Sequence, residues 1–131
     1  MRLLLDTHFL IWLVNKPESI RQSEYAVMAR REGPIIVSAI TIWELRMKWK
    51  SLDRHGKPKG ELSPESGLIF AERNNFTLAP LDAADCIVEI DPPISHKDPF
   101  DEMLLIHAQR LGAKLLTRDT QLVDHPLAIS A

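Results

Sequence analysis

The chain has 131 residues, and its 16 lysines and arginines against 18 aspartates and glutamates give a net charge of −2, which argues against a generally basic nucleic-acid binder. Its single cysteine, Cys86, excludes a disulfide within the chain and suits a reducing compartment, so a cytoplasmic location is expected. The longest apolar run, Phe9 to Val14, falls far short of the roughly 20 residues that a membrane span needs, so no membrane partner is expected.

Short aliphatic runs alternate with helical patterns along the whole chain. In chain order they are a strand at 2–5, an amphipathic stretch at 9–14, a helix at 20–30, a strand at 35–37, a helix through Trp43 and Trp49, a helix at 64–74, a strand at 76–78, a short helix at 82–90, a helix at 98–111, and strands at 113–117 and 128–129. Continuous apolar runs are typical of strands covered on both faces. The pattern predicts an α/β fold, an α/β/α sandwich around a mostly parallel sheet of four or five strands, as a single domain over residues 1–131.

Residues 50–64 lose this apolar periodicity. Lysines and arginines mix there with glycine and proline, which predicts a mobile basic loop. Its cationic side chains could contact RNA phosphates or could simply be solvated: Lys48, Lys50, Arg54, Lys57 and Lys59.

Four acidic residues fall where an α/β sheet places its ligands, at the carboxyl ends of strands or in the helices that leave them. Asp6 follows the first strand, Glu44 lies in the helix after the second, Asp101 begins the helix at 98–111, and Asp119 lies just past the fourth strand. Carboxylates that converge repel one another, and a hard divalent cation such as Mg²⁺ offsets that repulsion. Such an ion can activate a water for phosphodiester hydrolysis.

Each acid also has a simpler interpretation as a helix cap. Thr41 and Glu44 have the spacing of a capping box, and Ser38 is another candidate cap for the same helix. Asp98 followed by Pro99 is typical of a helix start, in which case Asp101 would only favour the helix dipole. Asp6 and Asp119 could likewise cap the helices that follow them. The joint placement of the four acids, rather than any one of them, indicates a site.

Four segments of the chain resemble the conserved motifs of PIN-domain proteins, in the same order and with similar spacing. They are Leu3-Leu4-Leu5-Asp6-Thr7-His8, Ser38-Ala39-Ile40-Thr41-Ile42-Trp43-Glu44, His96-Lys97-Asp98-Pro99-Phe100-Asp101 and Leu115-Leu116-Thr117-Arg118-Asp119. Within that family the chain is most similar to the VapC-like toxins, the ribonuclease halves of toxin–antitoxin pairs.

The resemblance implies a Mg²⁺- or Mn²⁺-dependent endoribonuclease whose products carry a 5′-phosphate and a 3′-hydroxyl. Asp6, Glu44, Asp101 and Asp119 match the family's acidic quartet and would hold the metal and carry catalysis. Asp101 is a better match than Asp98, because the family acid lies seven residues before a small helical residue, here Ala108. The implied partners are an RNA substrate (often transfer RNA in this family), a cognate antitoxin protein and a second copy of the chain.

Two other functions remain open at this stage. A phospho-aspartate domain would use Asp6 as its acceptor. Such domains need a second acidic residue beside or two residues after the acceptor, but Leu5 and His8 stand there. They also need a lysine after the last strand, where this chain has Arg118 and Asp119. A non-catalytic binding module with the PIN fold is the second alternative, against which the presence of all four acids argues.

Overall fold

A computed structural model describes residues 1–95 and 98–131, so His96 and Lys97 of the third motif lie outside the described residues. The strands are β1 (Arg2–Leu5), β2 (Ile36–Ser38), β3 (Thr77–Ala79), β4 (Ala113–Leu116) and β5 (Ala128–Ile129). They form a parallel sheet in the order β3-β2-β1-β4-β5. The predicted α/β fold with a parallel sheet of four or five strands is confirmed.

Within the described residues, five α-helices connect or flank these strands. They are α1 (Thr7–Asn15), α2 (Gln22–Ala29), α3 (Ala39–Lys50), α4 (Pro64–Arg73) and α5 (Pro99–Leu111). Two short 3₁₀ turns, Pro17–Ser19 and Ala83–Ile87, join them. No helix within residues 1–95 or 98–131 combines the length and the apolar character that crossing a membrane requires.

The leucines of β1 explain why the first strand lacks a polar face. Leu3, Leu4 and Leu5 are each at most 1% exposed. Successive side chains of a strand point to opposite faces of the sheet. Accordingly Leu4 packs in one cluster with Leu104 of α5, and Leu3 and Leu5 pack in another with Phe9 of α1. The sheet is therefore covered on both sides, as the continuous aliphatic run predicted.

Helix starts follow the capping side chains closely. The Ser38 hydroxyl accepts a hydrogen bond from the Ile40 N–H at 3.0 Å and caps α3, which begins at Ala39, two residues before Thr41. The capping-box interpretation of Glu44 is therefore wrong, because Thr41 lies inside the helix rather than at its cap and Glu44 is the sixth helical residue. Asp98 accepts from the Phe100 N–H at 2.9 Å and is confirmed as the cap of α5.

Residues 82–90 form less helix than predicted. Only the 3₁₀ turn Ala83–Ile87 is present, and Ile87 is 84% exposed. The Asp85 carboxylate accepts from the Asp82 N–H at 2.9 Å and is fully buried. The segment thus packs one polar side chain inward rather than the apolar stripe of an α-helix.

The segment predicted as a mobile basic loop is held by hydrogen bonds. The Asp53 carboxylate accepts from the N–H groups of His55 and Lys57 at 2.7 and 3.0 Å, and the Asp53 N–H donates to the Lys57 carbonyl at 2.7 Å. Gly56 adopts φ +77°, a left-handed conformation that glycine accepts without a steric cost. The predicted basic loop is therefore present, and Asp53 closes a turn within it.

A buried polar network lies behind the carboxyl end of β2. The Nδ1 atom of His107 lies 2.7 Å from the Ser38 hydroxyl, and its Nε2 lies 3.3 Å from the Asp85 carboxylate. Arg110 contacts the other oxygen of Asp85 at 2.6 Å. Nδ1 and the Ser38 hydroxyl lie at hydrogen-bond distance, whereas the approach of Nε2 to Asp85 is an ion-pair contact without hydrogen-bond geometry. The network therefore joins the cap of α3 to α5.

The same burial affects the titration of this network. Burial lowers the pKa of His107, an effect that nearby Asp85 opposes and Arg110 reinforces. Burial alone would raise the pKa of Asp85, but the hydrogen bond from the Asp82 N–H and the contact with Arg110 outweigh it and lower that pKa. The folded protein thus holds a neutral imidazole against an ionised carboxylate.

This arrangement predicts a specific pH dependence of stability. Because the pKa of His107 is lower in the folded than in the unfolded chain, the contribution of this histidine is complete above about pH 6.5 and is lost as the pH falls below it. We expect the free energy of unfolding of the wild type to fall more steeply between about pH 7 and pH 5.5 than that of His107→Gln, measured by urea unfolding. The other histidines are present in both proteins, so their contributions to the pH dependence cancel in the difference. Parallel pH profiles would contradict the assignment.

Candidate active site

The strand order creates a crevice between β1 and β4. β2 and β3 lie in sequence on one side of β1, whereas β4 and β5 lie on its other side. In open α/β sheets, ligands bind at this point, outside the carboxyl ends of the strands. Leu5 and Leu116 are paired at the ends of β1 and β4, so Asp6 and Thr117 emerge side by side.

Asp6 occupies the cap position of α1 but its side chain does not cap that helix. Instead, its Oδ2 accepts a hydrogen bond from the Thr117 hydroxyl at 2.6 Å. Thr117 is completely buried, and its hydroxyl oxygen accepts from the Asp119 N–H at 3.0 Å. One hydroxyl therefore orients the Asp6 carboxylate and shapes the turn that carries Asp119.

The Asp6 carboxyl is 7% exposed, and this burial raises its pKa. The hydrogen bond from Thr117 and the charge of His8 act in the opposite direction, whereas the negative charge of Glu44 raises the pKa further. Asp6 and Glu44 are thus close enough to interact electrostatically. A cation bound beside them would stabilise the ionised form of both.

Glu44 reaches the same edge from the interior of α3 and is 9% exposed. Its Oε1 accepts from the Thr7 hydroxyl at 2.9 Å, and its Oε2 forms an ion pair of 2.8 Å with Lys48, one helical turn further along. The Thr7 and Thr41 hydroxyl oxygens lie 3.2 Å apart. Both oxygens of this carboxylate therefore have protein partners.

Asp119 and Asp6 line one open cleft of about 270 Å³, the other walls of which are aromatic or cationic: His8, Phe9, Trp12 and Arg118. One oxygen of Asp119 accepts from the Gln121 N–H at 2.9 Å, so this side chain also closes a local turn. The interpretation of Asp119 as a helix cap is wrong, because residues 119–131 contain no helix. Its place on the cleft leaves it available as a site residue.

Asp101 lies in the first turn of α5 and is partly buried. The neighbouring Phe100 packs edge-on against Trp43, with ring centroids 5.9 Å apart. Trp43 directly precedes Glu44, so an aromatic contact holds the segment with Asp101 against the segment with Glu44. The structure therefore places Asp6, Glu44 and Asp119 at this end of the sheet, and it packs the start of α5, which carries Asp101, against the segment of α3 that carries Glu44.

Arg118 lines the same cleft as Asp6 and Asp119, and its guanidinium binds Glu24. Its guanidinium donates to both oxygens of Glu24, at 2.6 and 2.5 Å, and to the Ser19 carbonyl at 2.6 Å. It also lies over the Trp12 ring, 4.2 Å from the centroid. The hydrogen bonds from Arg118 lower the pKa of Glu24, although burial opposes this. Arg118 is thus a structural cation that forms one wall of the cleft.

The acidic side chains do not form a ready-made cage. Within the described ranges, 1–95 and 98–131, no three His, Cys, Asp or Glu side chains are arranged to hold one ion. This donor set nevertheless suits Mg²⁺, which usually takes one or two carboxylates and completes its shell with water and substrate phosphate oxygens. The raised pKa of buried Asp6 is the local sign that a cation would be favoured there.

Sequence reasoning missed several side chains of this site. Thr7, Glu24 and the stacking of Arg118 on Trp12 carry no spacing signal, because their partners lie far away in the chain. Thr7 was recognisable only as a neighbour of Asp6 within the first motif. Thr117 was recognisable only as a member of the fourth motif, and the structure shows its hydroxyl donating to Asp6.

The match to known proteins agrees with this geometry. The PIN domain family model matches residues 3–126, and the chain therefore belongs to the PIN domain family. No match was found among curated protein sequences.

Two solved structures share the fold over the whole chain. The crystal structure of VapBC2 from Rickettsia felis bound to a DNA fragment from their promoter contains a chain that is 19% identical, with a TM-score of 0.62 and coverage of 100% of this chain and 98% of that one. The crystal structure of DNA-bound VapBC from Salmonella typhimurium contains one that is 21% identical, with a TM-score of 0.60 and coverage of 100% and 97%.

The ion pair between Arg118 and Glu24 predicts a clear stability effect. Glu24 is 1% exposed and Arg118 is partly exposed, so Glu24→Gln breaks a largely buried pair. We expect a loss of about 3 kcal/mol in the free energy of unfolding, near the lower end for such pairs because Arg118 retains access to water. Urea unfolding measures it, with Glu18→Gln on the nearby exposed turn as the control. A loss no larger than that of the control would show that the pair contributes little.

Proposed function

We propose that this chain is a metal-dependent endoribonuclease of the VapC-like toxin type, hydrolysing RNA phosphodiester bonds with a water activated by Mg²⁺ or Mn²⁺. The observation that carries the proposal is the pair of buried carboxylates, Asp6 and Glu44, at the switch point of a PIN-domain sheet, with Asp119 on the same cleft as Asp6. The fold relatives in VapBC structures support the toxin assignment.

Within this proposal Asp6, Glu44, Asp101 and Asp119 hold the ion. When bound, the ion would lower the pKa of a coordinated water and neutralise charge on the scissile phosphate. Thr117 keeps the Asp6 carboxylate in one orientation through its 2.6 Å hydrogen bond. Thr7 does the same for Glu44 at 2.9 Å, so a hydroxyl partner orients each of these two carboxylates before an ion binds. No side chain of this site is required as a nucleophile.

Protein partners belong to the same proposal: an antitoxin that binds the chain, and a second copy that makes it a homodimer. Support comes from apolar side chains in solvent on α3, where Trp43 is 47% exposed and Met47, one turn later, is 51% exposed. Exposed apolar patches of this kind mark interaction surfaces. A cytoplasmic location is proposed on the same basis as at the sequence level, from the lone Cys86.

The decisive experiment is a Mg²⁺ and Mn²⁺ titration of RNA cleavage, with a transfer RNA pool as substrate. We expect Asp6→Asn to lower the cleavage rate by more than about 100-fold, beyond the loss typical of residues that only support a metal ligand. Asp124→Asn, the same change at an exposed carboxylate further along the chain, is the control and should cleave normally. Undiminished cleavage by a clean, folded Asp6→Asn preparation would refute the mechanism, and no cleavage by the wild type would favour the binding module.

Thr117 offers a second and finer prediction. Thr117→Val keeps the shape but removes the hydroxyl that contacts both Asp6 and the Asp119 N–H. We expect Mn²⁺ affinity, measured by calorimetry, to fall about 10- to 100-fold, as is typical when the partner of a metal ligand is removed. Thr117→Ser should restore most of it. Equal affinities of the wild type and the valine variant would mean that the hydroxyl does not position the ligand.

A further inference from the structure

A second cleft of about 350 Å³ lies beside the acidic one. The segment 51–61 after α3 folds back on itself as a short hairpin, in which Leu52 and Pro58 form an antiparallel bridge. The cleft is lined by two lysines and by residues of α1 and this hairpin: His8, Ile11, Lys48, Lys59, Gly60 and Glu61. His8 lines both clefts, so the two share a wall. A ligand lying across the acidic edge can therefore extend directly into this lysine cleft.

The position of Lys59 is fixed by backbone contacts of the hairpin with α3. The Lys59 N–H donates to the Ser51 carbonyl at 2.8 Å, and the Gly60 N–H donates to the Lys48 carbonyl at 3.2 Å. A Cβ atom on Gly60 would lie 3.1 Å from the Trp49 nitrogen and 3.2 Å from the Lys48 carbonyl carbon. Glycine is thus what allows the hairpin to approach the end of α3 so closely.

The opposite end of the hairpin is tied to α1. The Asn15 side-chain amide donates to the Glu61 carbonyl at 2.6 Å. The lysine cleft is therefore bounded by elements that hydrogen bonds hold in place, rather than by a loose loop. The Glu61 carboxylate is exposed and is the one acidic group in the lining, against Lys48 and Lys59.

Lys48 links this cleft to the proposed metal ligands. Its ammonium group lies 2.8 Å from Glu44 Oε2, yet its side chain is 48% exposed. It therefore stands at the boundary between the acidic edge and the lysine cleft. Lys59 is exposed and provides a second ammonium group in the same cleft.

An RNA strand meets a net repulsive surface at the acidic edge, and a bound ion offsets this only at the phosphate it contacts. The neighbouring phosphate needs its own cation. We propose that the lysine cleft is the subsite for that neighbouring phosphate, bound by Lys48 and Lys59. This inference rests on the proposed ribonuclease function and adds to it the side on which the strand leaves the metal site.

A phosphodiester strand fits both clefts better than an acidic peptide does. One strand supplies a phosphate to the ion and the next phosphate to the lysines, so that a single ligand uses the whole surface. A peptide carboxylate would use only the lysine cleft and would face Asp6 and Asp119 at the other. The two ligands therefore predict different competition behaviour.

The test measures binding of a fluorescent single-stranded RNA of mixed sequence by the full-length protein in EDTA, where no metal-dependent cleavage occurs. We expect Lys59→Gln to weaken binding several-fold and to reduce the slope of log K against log salt by about 0.7, the value for one lost phosphate contact with a single strand. Lys57→Gln, which removes the same charge two residues away on the same hairpin, should change neither. Circular dichroism confirms that both variants fold.

The outcomes separate the subsite from the ribonuclease proposal. Equal effects of Lys59→Gln and Lys57→Gln, or no effect of either, would overturn the subsite even if the wild type cleaves RNA. A loss of poly-glutamate binding as large as the loss of RNA binding in Lys59→Gln would assign the cleft to acidic peptides and also overturn it. The expected Lys59 effect in a chain that shows no cleavage would retain the subsite and reject the nuclease.

Discussion

The proximity of two buried carboxylates, Asp6 and Glu44, is the constraint around which this end of the molecule is organised. Burial disfavours the ionised form of Asp6 and raises its pKa, and the charge of Glu44 raises that pKa further. The Thr117 hydroxyl donates a hydrogen bond to Asp6, and Glu44 accepts one from Thr7 and forms an ion pair with Lys48. These partners orient the acids but leave the edge acidic, because Asp119 borders the same cleft. The burial of Asp6 beside Glu44, with Asp119 on the same cleft as Asp6, is the physical argument for the proposed metal-binding function.

The sheet could be predicted from sequence because its signal is local. Apolar runs of two to five residues predicted all five strands within about one residue, since a strand covered on both faces needs no alternation. The start of a helix could be predicted where its cap was unambiguous, as at Asp98. The start of α3 required a choice between Ser38 and Thr41, which local spacing does not decide. Ser38 caps the helix and is also bonded to His107, a contact 69 residues away.

The sequence could predict only those site residues that directly follow a strand. Asp6 and Asp119 follow paired strands, so the sheet order brings them together. The hydroxyls and cations that complete the edge depend on contacts across the chain: Thr7 with Glu44, and Arg118 with Glu24 over Trp12. The order of the basic hairpin was missed for a different reason. A single carboxylate, Asp53, organises a segment whose composition is otherwise typical of a loop.

The strand order also divides the acidic edge between two parts of the chain. Asp6 and Glu44 come from the part that ends with β3, whereas Asp101 and Asp119 come from the part that begins with α5. The two parts meet along β1 and β4, whose four-residue register is the seam between them. Neither part alone contains the full set of acids, so a chain cut between β3 and α5 would regain the edge only through reassembly of its fragments. Assembly of the acidic edge therefore requires that the two parts of the chain pair along β1 and β4.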